Sequence, residues 1–358
     1  MKIAAVSCAN GLGHLKRSIR ILNAVVDRFS PAAITLFCDR SGVEQIVRWN
    51  EYIVLQERCA LNTVPVTLPG RWKETLELNR VWLSDWHTSM RDWNLPAFDF
   101  VISDNFVEPL LYSDRVALIG SFFWHDVLFS AFGESEFERY AKWCEDLLTS
   151  YKPHVIANRY FAMPEVRRQP NVHTIGLIPF STPRRTEPLS RSARRILIAL
   201  GSAQTVDNVA DQLRRAIEKF QGAGLDVLAS ATVRKRFAPH CGNIQSFDFG
   251  RDDFDSIDFA IIRGGLGSIS DCIAARIPML YVNDFNPELK FNQARLTELG
   301  IGLPLDLVLE QGADFLNNPS MHDEMVSKMN SFDLEGHLAG SSILANLSEQ
   351  WAQPWPKS

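Results

Sequence analysis

His14 is the residue of this chain whose type and setting best suit proton transfer. It ends the run Asn10-Gly11-Leu12-Gly13-His14, which follows an apolar stretch, Lys2–Ser7, and opens an amphipathic segment. Glycines in such a turn let the backbone approach a ligand, and the free N–H groups of a helix start favour an anion or oxyanion. An imidazole there suits a general base, because its unperturbed pKa is about 6.5 and the positive helix end favours the neutral form. A helix-start histidine bonded only to backbone is the plainer alternative. Asp104 ends the apolar run Phe98–Ser103. A carboxylate at that strand end would fix the tautomer of a base such as His14, or would cap the next helix.

A second constellation is Arg263-Gly264-Gly265-Leu266-Gly267-Ser268, with Asp271 three residues beyond. Three glycines in four positions before a helix make a cradle of backbone donors for phosphate. Asp271 falls one helical turn after Ser268, where a carboxylate can accept both hydroxyls of a ribose. The same pattern also reads as a serine N-cap with an acid in the first turn. Gly201-Ser202, after the apolar run Ile196–Leu200, adds another donor cluster.

Two familiar nucleotide motifs fail. A Walker loop needs Gly-Lys-Ser/Thr where Gly13 precedes His14-Leu15, and a dinucleotide fingerprint needs a glycine where Lys16 stands. Asp39 mimics a ribose-binding acid but lacks that glycine. No Asp-x-Asp metal motif stands at a strand end, and Asp252-Asp253 with Asp255 reads as a solvated turn. The six cysteines, at 8, 38, 59, 144, 241 and 272, form no CxxC pair and read as filling apolar space. Neither a metal nor a resident cofactor is expected.

Strand and helix patterns alternate along the 358 residues, which predicts parallel sheets covered by helices. In the first half, Leu15, Ile19, Leu22, Val25, Val26 and Phe29 give a helix stripe after the strand Lys2–Ser7. Further strands are predicted at Ala33–Cys38, Phe98–Ser103, Val116–Ser121, Val155–Ala157 and His173–Leu177. In the second half they fall at Ile196–Leu200, Asp226–Ala229, Asp258–Arg263 and Met279–Val282. Both halves begin with strand, glycine turn and helix, so the fold class is α/β with two Rossmann-like domains facing across a cleft. The expected boundaries are a first domain at 1–180, a linker rich in proline, arginine and hydroxyls at 181–194, and a second domain at 195–338. A closing segment at 339–358 would return to the first domain. Residues 71–94 carry Trp72, Trp82, Trp86 and Trp93, either a helical insertion packing its tryptophans or an aromatic acceptor surface.

Composition narrows the function classes. Formal net charge is −5, which argues against a broadly basic nucleic-acid binder. No run reaches the ~18–20 apolar residues that cross a bilayer, leaving only peripheral membrane contact open. The amino terminus lacks the apolar core of a secretion signal, so a cytoplasmic location is expected.

Gly11-Leu12-Gly13-His14, with Arg263-Gly264-Gly265-Leu266-Gly267-Ser268 through Pro278 and Asn292, resembles the GT-B nucleotide-sugar glycosyltransferases. The nearest flavour is the bacterial group related to the N-acetylglucosaminyltransferase of peptidoglycan synthesis. The resemblance spans both halves and implies a nucleotide-diphosphate-sugar, with UDP favoured, held mainly by the second domain at 195–338, and an acceptor held mainly by the first at 1–180. It implies that Gly264, Gly265, Gly267 and Ser268 face the diphosphate beside Arg263, with Gly201 and Ser202 opposite. Gly11 and Gly13 would line the same donor site. Asp271 would take the ribose, the loop around Phe247-Asp248-Phe249 would lie against the base, and Glu288 and Asn292 would stand near the sugar. Glu288-Leu289 departs from the family's Asp-Gln or Gln-Gln pair, and Arg276 replaces its helix-ending glycine.

The resulting expectation is an inverting, metal-independent hexosyl transfer to a small-molecule, glycan or lipid-linked acceptor, with His14 as base. A rival is the nucleotide-sugar hydrolase of pseudaminic acid synthesis, whose Gly-x-Gly-His turn is followed by an arginine that Arg17 matches. The aromatic segment and Ser121-Phe122-Phe123-Trp124 favour transfer. A third reading is a non-catalytic nucleotide-sugar-binding protein.

Overall fold

The computed structural model describes residues 1–7, 12–29, 31–66, 86–133, 135–180, 194–201, 209–237, 239, 241–249 and 254–352. The chain divides into two compact units, Met1–Ile178 with Glu335–Ser358, and Pro179–Leu334.

Among the described residues the first unit has seven strands: β1 Lys2–Val6, β2 Ala33–Cys38, β3 Ala60–Pro65, β4 Phe100–Asp104, β5 Val116–Ile119, β6 His154–Asn158 and β7 Asn171–Ile175. Their order across the sheet is β3-β2-β1-β4-β5-β6-β7, and every neighbouring pair is parallel. Parallel strands need crossovers that put helices on both faces, so central strands are apolar throughout. Accordingly, β4 is buried along its whole length and β1 from Ile3 onward. Helix Leu12–Val26 buries Leu15, Ile19, Leu22, Val25 and Val26, the predicted stripe without Phe29, which lies past the helix end and is half-buried.

Chain order reverses direction between β1 and β4. In an open parallel sheet this switch point leaves a crevice at the strand carboxyl ends, where the two connections diverge. The helix that follows β1 carries His14 in its first turn, and β4 ends in Asp104.

The second unit repeats the plan with β8 Arg195–Ala199, β9 Asp226–Ala229, β10 Gln245–Ser246, β11 Phe259–Ile262, β12 Met279–Tyr281 and β13 Gly302–Pro304. These run in the order β10-β9-β8-β11-β12-β13, again all parallel. The switch point lies between β8 and β11, whose ends lead to Gly201 and to Arg263-Gly264. Each unit has its own apolar core on its sheet.

Helix Gly336–Ala352 packs on helix Leu12–Val26 and on β6 and β7 of the first unit. Gly336 makes the close approach at its start: it donates its N–H to the Leu177 carbonyl at 3.0 Å, and a Cβ there would run into the Gly176 carbonyl. At the other end of this helix Trp351 meets the rings of Phe100 and His154. Residues 71–85 of the tryptophan segment lie outside the described residues. Trp93, in a 3-10 stretch at Trp86–Trp93, stacks on Phe37 with centroids 4.7 Å apart. Among the described residues no helix is long and apolar enough to cross a membrane. Cys38, Cys144, Cys241 and Cys272 are free and buried and Cys59 is free and partly buried, while Cys8 lies outside the described residues.

Candidate functional site

The helix after β1 begins at Leu12, so Gly13 and His14 occupy its first turn rather than a preceding loop. Three residues on, Arg17 shares the face of His14. Both look onto the end of β4. His14 Nδ1 lies 2.8 Å from Asp104 Oδ1. Arg17 donates from Nη2 to Oδ1 at 2.7 Å and from Nε to Oδ2 at 3.1 Å, and the Ser18 hydroxyl donates to Oδ2 at 3.5 Å. Asp104 is fully buried. Burial by itself pushes its carboxyl up, but Arg17 and then His14 outweigh it and hold the group below the usual carboxylate range. An ionised carboxylate at 2.8 Å accepts from Nδ1–H, and the imidazole then keeps its lone pair on Nε2. Only 11% of the His14 side chain is exposed, and Phe122 meets its ring edge-on at 5.9 Å.

Asn105 completes this cluster. It adopts a left-handed conformation at φ 61°, which asparagine tolerates better than most residues, and its Nδ2 lies 3.2 Å from His14 Nδ1. Nothing local in the sequence marks it. Arg17, read from the sequence only as a match to the hydrolase turn, carries a usable signal in its three-residue spacing from His14.

In the second unit the helix starts at Leu266, two residues before the expected Ser268, with Gly265 as its N-cap. The amides of Leu266, Gly267 and Ser268 therefore stand in the first turn, where no intrahelical acceptor reaches them. Gly264, at φ 105°, turns the chain out of β11, and its carbonyl accepts from Asn292 Nδ2 at 2.9 Å. Gln293 Nε2 donates to the carbonyls of Arg263 and Val282 at 2.6 and 2.8 Å. Arg263 is itself held: Nε and Nη2 donate to Asp284 Oδ2 at 2.8 and 2.6 Å. Asp284 Oδ1 takes the Asn286 N–H, and Asn286 caps the helix Pro287–Glu298 that carries Asn292 and Gln293. The glycine turn is thus fixed from behind by a closed ring of hydrogen bonds.

The remaining predicted residues land as follows. Gly201 follows β8 at φ 73° and is exposed. Asp271 accepts the Phe180 N–H at 2.6 Å on Oδ1, so one of its oxygens is engaged with the chain just after β7. Glu288 lies buried in the first helical turn after Asn286. Asn292 is buried, and its side-chain contact is with the glycine turn itself. Phe249 is 44% exposed at the edge of a trio with Phe247 and Phe254. Gly11 and Ser202 lie outside the described residues. Sequence reasoning passed over Gln293 and the Arg263–Asp284 pair, which join loops after different strands.

No protein-family model matches the chain, and no curated protein matches it. Solved structures are similar over nearly the whole length. The glycosyltransferase of kitacinnamycin superposes with a TM-score of 0.65 at 15% identity, covering 98% of both chains. The calicheamicin glycosyltransferase CalG4 gives 0.64 at 15% identity, covering 99% of both. A Medicago truncatula glycosyltransferase solved with UDP-glucose gives 0.62 at 14% identity, covering 97% of this chain and 98% of that one. The fold is therefore that of the GT-B glycosyltransferases.

Proposed function

We propose that the protein transfers a sugar from a nucleotide-diphosphate donor to an acceptor hydroxyl with inversion, using His14 as general base. The observation that carries this reading is the 2.8 Å contact between His14 Nδ1 and the buried Asp104 at the switch point of the first sheet. In the proposed reaction His14 Nε2 takes the acceptor's proton as its oxygen attacks the anomeric carbon, and the bond to the diphosphate oxygen breaks. Charge developing on the leaving diphosphate is met by the amides and dipole at the start of helix Leu266–Ala274. Those donors are neutral N–H groups at a positive helix end, which can meet that charge in a mechanism that does not require a metal.

The donor belongs to the second unit in this reading, and a UDP-sugar is favoured. Structures of the same fold hold UDP-glucose and dTDP, which supports a nucleotide-diphosphate donor and leaves the choice of base to the test below. The acceptor belongs to the first unit and is a small molecule, a glycan or a lipid-linked alcohol.

The test is nucleotide release from UDP- and dTDP-sugars, followed with and without cell extract. Transfer predicts release that depends on extract and forms a sugar conjugate, whereas free sugar without extract would mean hydrolysis. His14→Ala is expected to keep donor affinity while losing turnover by ~10²–10⁴. Normal turnover in that variant would remove His14 from the chemistry.

A further inference from the structure

Three groups converge on one ring nitrogen of His14. Asp104 Oδ1 lies at 2.8 Å, Arg17 Nη2 at 3.1 Å and Asn105 Nδ2 at 3.2 Å from Nδ1. The first can only accept while ionised, and the other two can only donate. Nδ1 therefore has two self-consistent states. With Asp104 ionised, Nδ1 carries the proton and donates to it, and Nε2 keeps the lone pair. With Asp104 protonated, Nδ1 becomes the acceptor, for the Asp104 hydroxyl or for Arg17 or Asn105, the ring proton sits on Nε2, and the base is lost.

Which state holds depends on what keeps a fully buried carboxylate charged. Among the described residues, the charged and titratable groups bonded to Asp104 are His14 and Arg17, both from the helix after β1; Ser18 is neutral. Arg17 reaches both carboxylate oxygens through two nitrogens, a fork that fixes orientation as well as charge. Its side chain is only 13% exposed, so solvent screens the pair weakly.

We propose that Arg17 is a positioning residue: by pairing with the buried Asp104 it holds His14 in the tautomer with its proton on Nδ1, leaving Nε2 open to the acceptor's proton. Arg17 acts through Asp104 and touches no reacting atom. The proposal rests on the reading of His14 as base for its consequence in turnover, but the tautomer itself is independent of that reading.

Two measurements separate them. Imidazole-nitrogen NMR on histidine-labelled protein, with the His14 signals assigned by their loss in His14→Gln, reports the tautomer directly. Wild type is expected to show Nδ1–H, and Arg17→Met is expected to shift toward Nε2–H. In parallel, Arg17→Met should lower kcat by about 10-fold or more with donor KM little changed, and should move the acid limb of kcat/KM to higher pH. Arg17→Lys, which keeps a charge but not the fork, should recover much of both.

Arg17→Met leaves a buried carboxylate unpaired and can unfold, so the double variant Arg17→Met/Asp104→Asn is measured beside Asp104→Asn. With no carboxylate to serve, loss of Arg17 should add little. A further loss of about 10-fold or more would show that Arg17 acts apart from Asp104 and would overturn the proposal. An unchanged tautomer and acid limb in folded Arg17→Met would overturn it equally. A tautomer that responds as expected in a protein showing no sugar transfer would sink the functional reading and leave the role of Arg17 standing.

Discussion

Gly120 and Asn105 share one small volume: a Cβ built on Gly120 overlaps the side-chain oxygen of Asn105. The two residues follow adjacent strands, and the Asn105 N–H donates to the Ile119 carbonyl at 2.9 Å. A side chain at 120 must therefore displace the amide that lies beside His14. Gly120→Ala is expected to cost about 1–3 kcal/mol of stability, as overpacking in a buried site does. It should also lower kcat more than it raises donor KM. Urea unfolding together with steady-state kinetics checks this, and wild-type values on both would show that the space is not shared.

His125 predicts a pH dependence of stability. It is buried at the start of helix Trp124–Phe132, and burial pushes its pKa down to about 3. The unfolded chain binds a proton there at about 6.5. Between those values the unfolded state holds more protons, so this residue destabilises the fold as pH falls through the window, by about 1.4 kcal/mol per pH unit. Asp126 opposes it. Burial, with Glu165 and Glu145, pushes its carboxyl up to about 7, so it contributes most when protonated and loses that contribution as pH rises toward 7. Wild type should show partial cancellation between pH 4 and 6. His125→Gln should lose stability less steeply on acidification, and an unchanged slope in urea unfolding would mean that His125 is not held neutral.

The sheet centres were legible in the sequence because burial on both faces leaves only apolar residues to choose from. Ile3-Ala4-Ala5-Val6 and Phe100-Val101-Ile102 announce themselves in that way, as does Ile196-Leu197-Ile198. The strands that went unread, β3, β10 and β13, are all at sheet edges. β3 has no fully buried residue, β10 is two residues long, and β13 contains Gly302 and Pro304. His14 and Asp104 were legible as strand-end residues, since the switch point gathers such ends. Asn105 was not: its role comes from a left-handed backbone and from the absence of a side chain at Gly120, fifteen residues on by the numbering. The Arg263–Asp284 pair was hidden for the same reason, since it joins the ends of β11 and β12.

Asp271 is expected to serve two masters, and two substitutions separate them. Its Oδ1 accepts the Phe180 N–H, and the proposed ribose contact needs the charged carboxylate. Asp271→Ala should lose stability by about 1 kcal/mol and UDP affinity by about 1–3 kcal/mol. Asp271→Asn keeps an acceptor for Phe180, so it should retain stability and still lose affinity. Calorimetric titration with UDP beside urea unfolding gives both readouts. Unchanged UDP affinity in both variants would leave Asp271 as an anchor for the chain at Phe180 and nothing more.

The adjoining glycines of the second unit offer a sharper test of the phosphate cradle, because only one of them is required by the fold. Gly264 has φ 105°, and a Cβ there would lie 3.0 Å from the Leu289 carbonyl oxygen, so Gly264→Ala strains the backbone and should cost about 1–3 kcal/mol of stability. Gly265 has φ −66° and ψ 133°, a conformation open to any residue, and a Cβ there would meet nothing within 4 Å. Among the described residues no contact requires a glycine at 265, and the fold's own preference there is the modest one of an N-cap for glycine over alanine. If the cradle brings a diphosphate against this backbone, the added methyl obstructs the ligand and not the fold. Gly265→Ala should therefore lose no more than about 1 kcal/mol of stability, as an N-cap change does, while binding UDP at least about 10-fold more weakly, a loss of about 1.4 kcal/mol. A folded variant that binds UDP as well as wild type would mean that no diphosphate lies against Gly265.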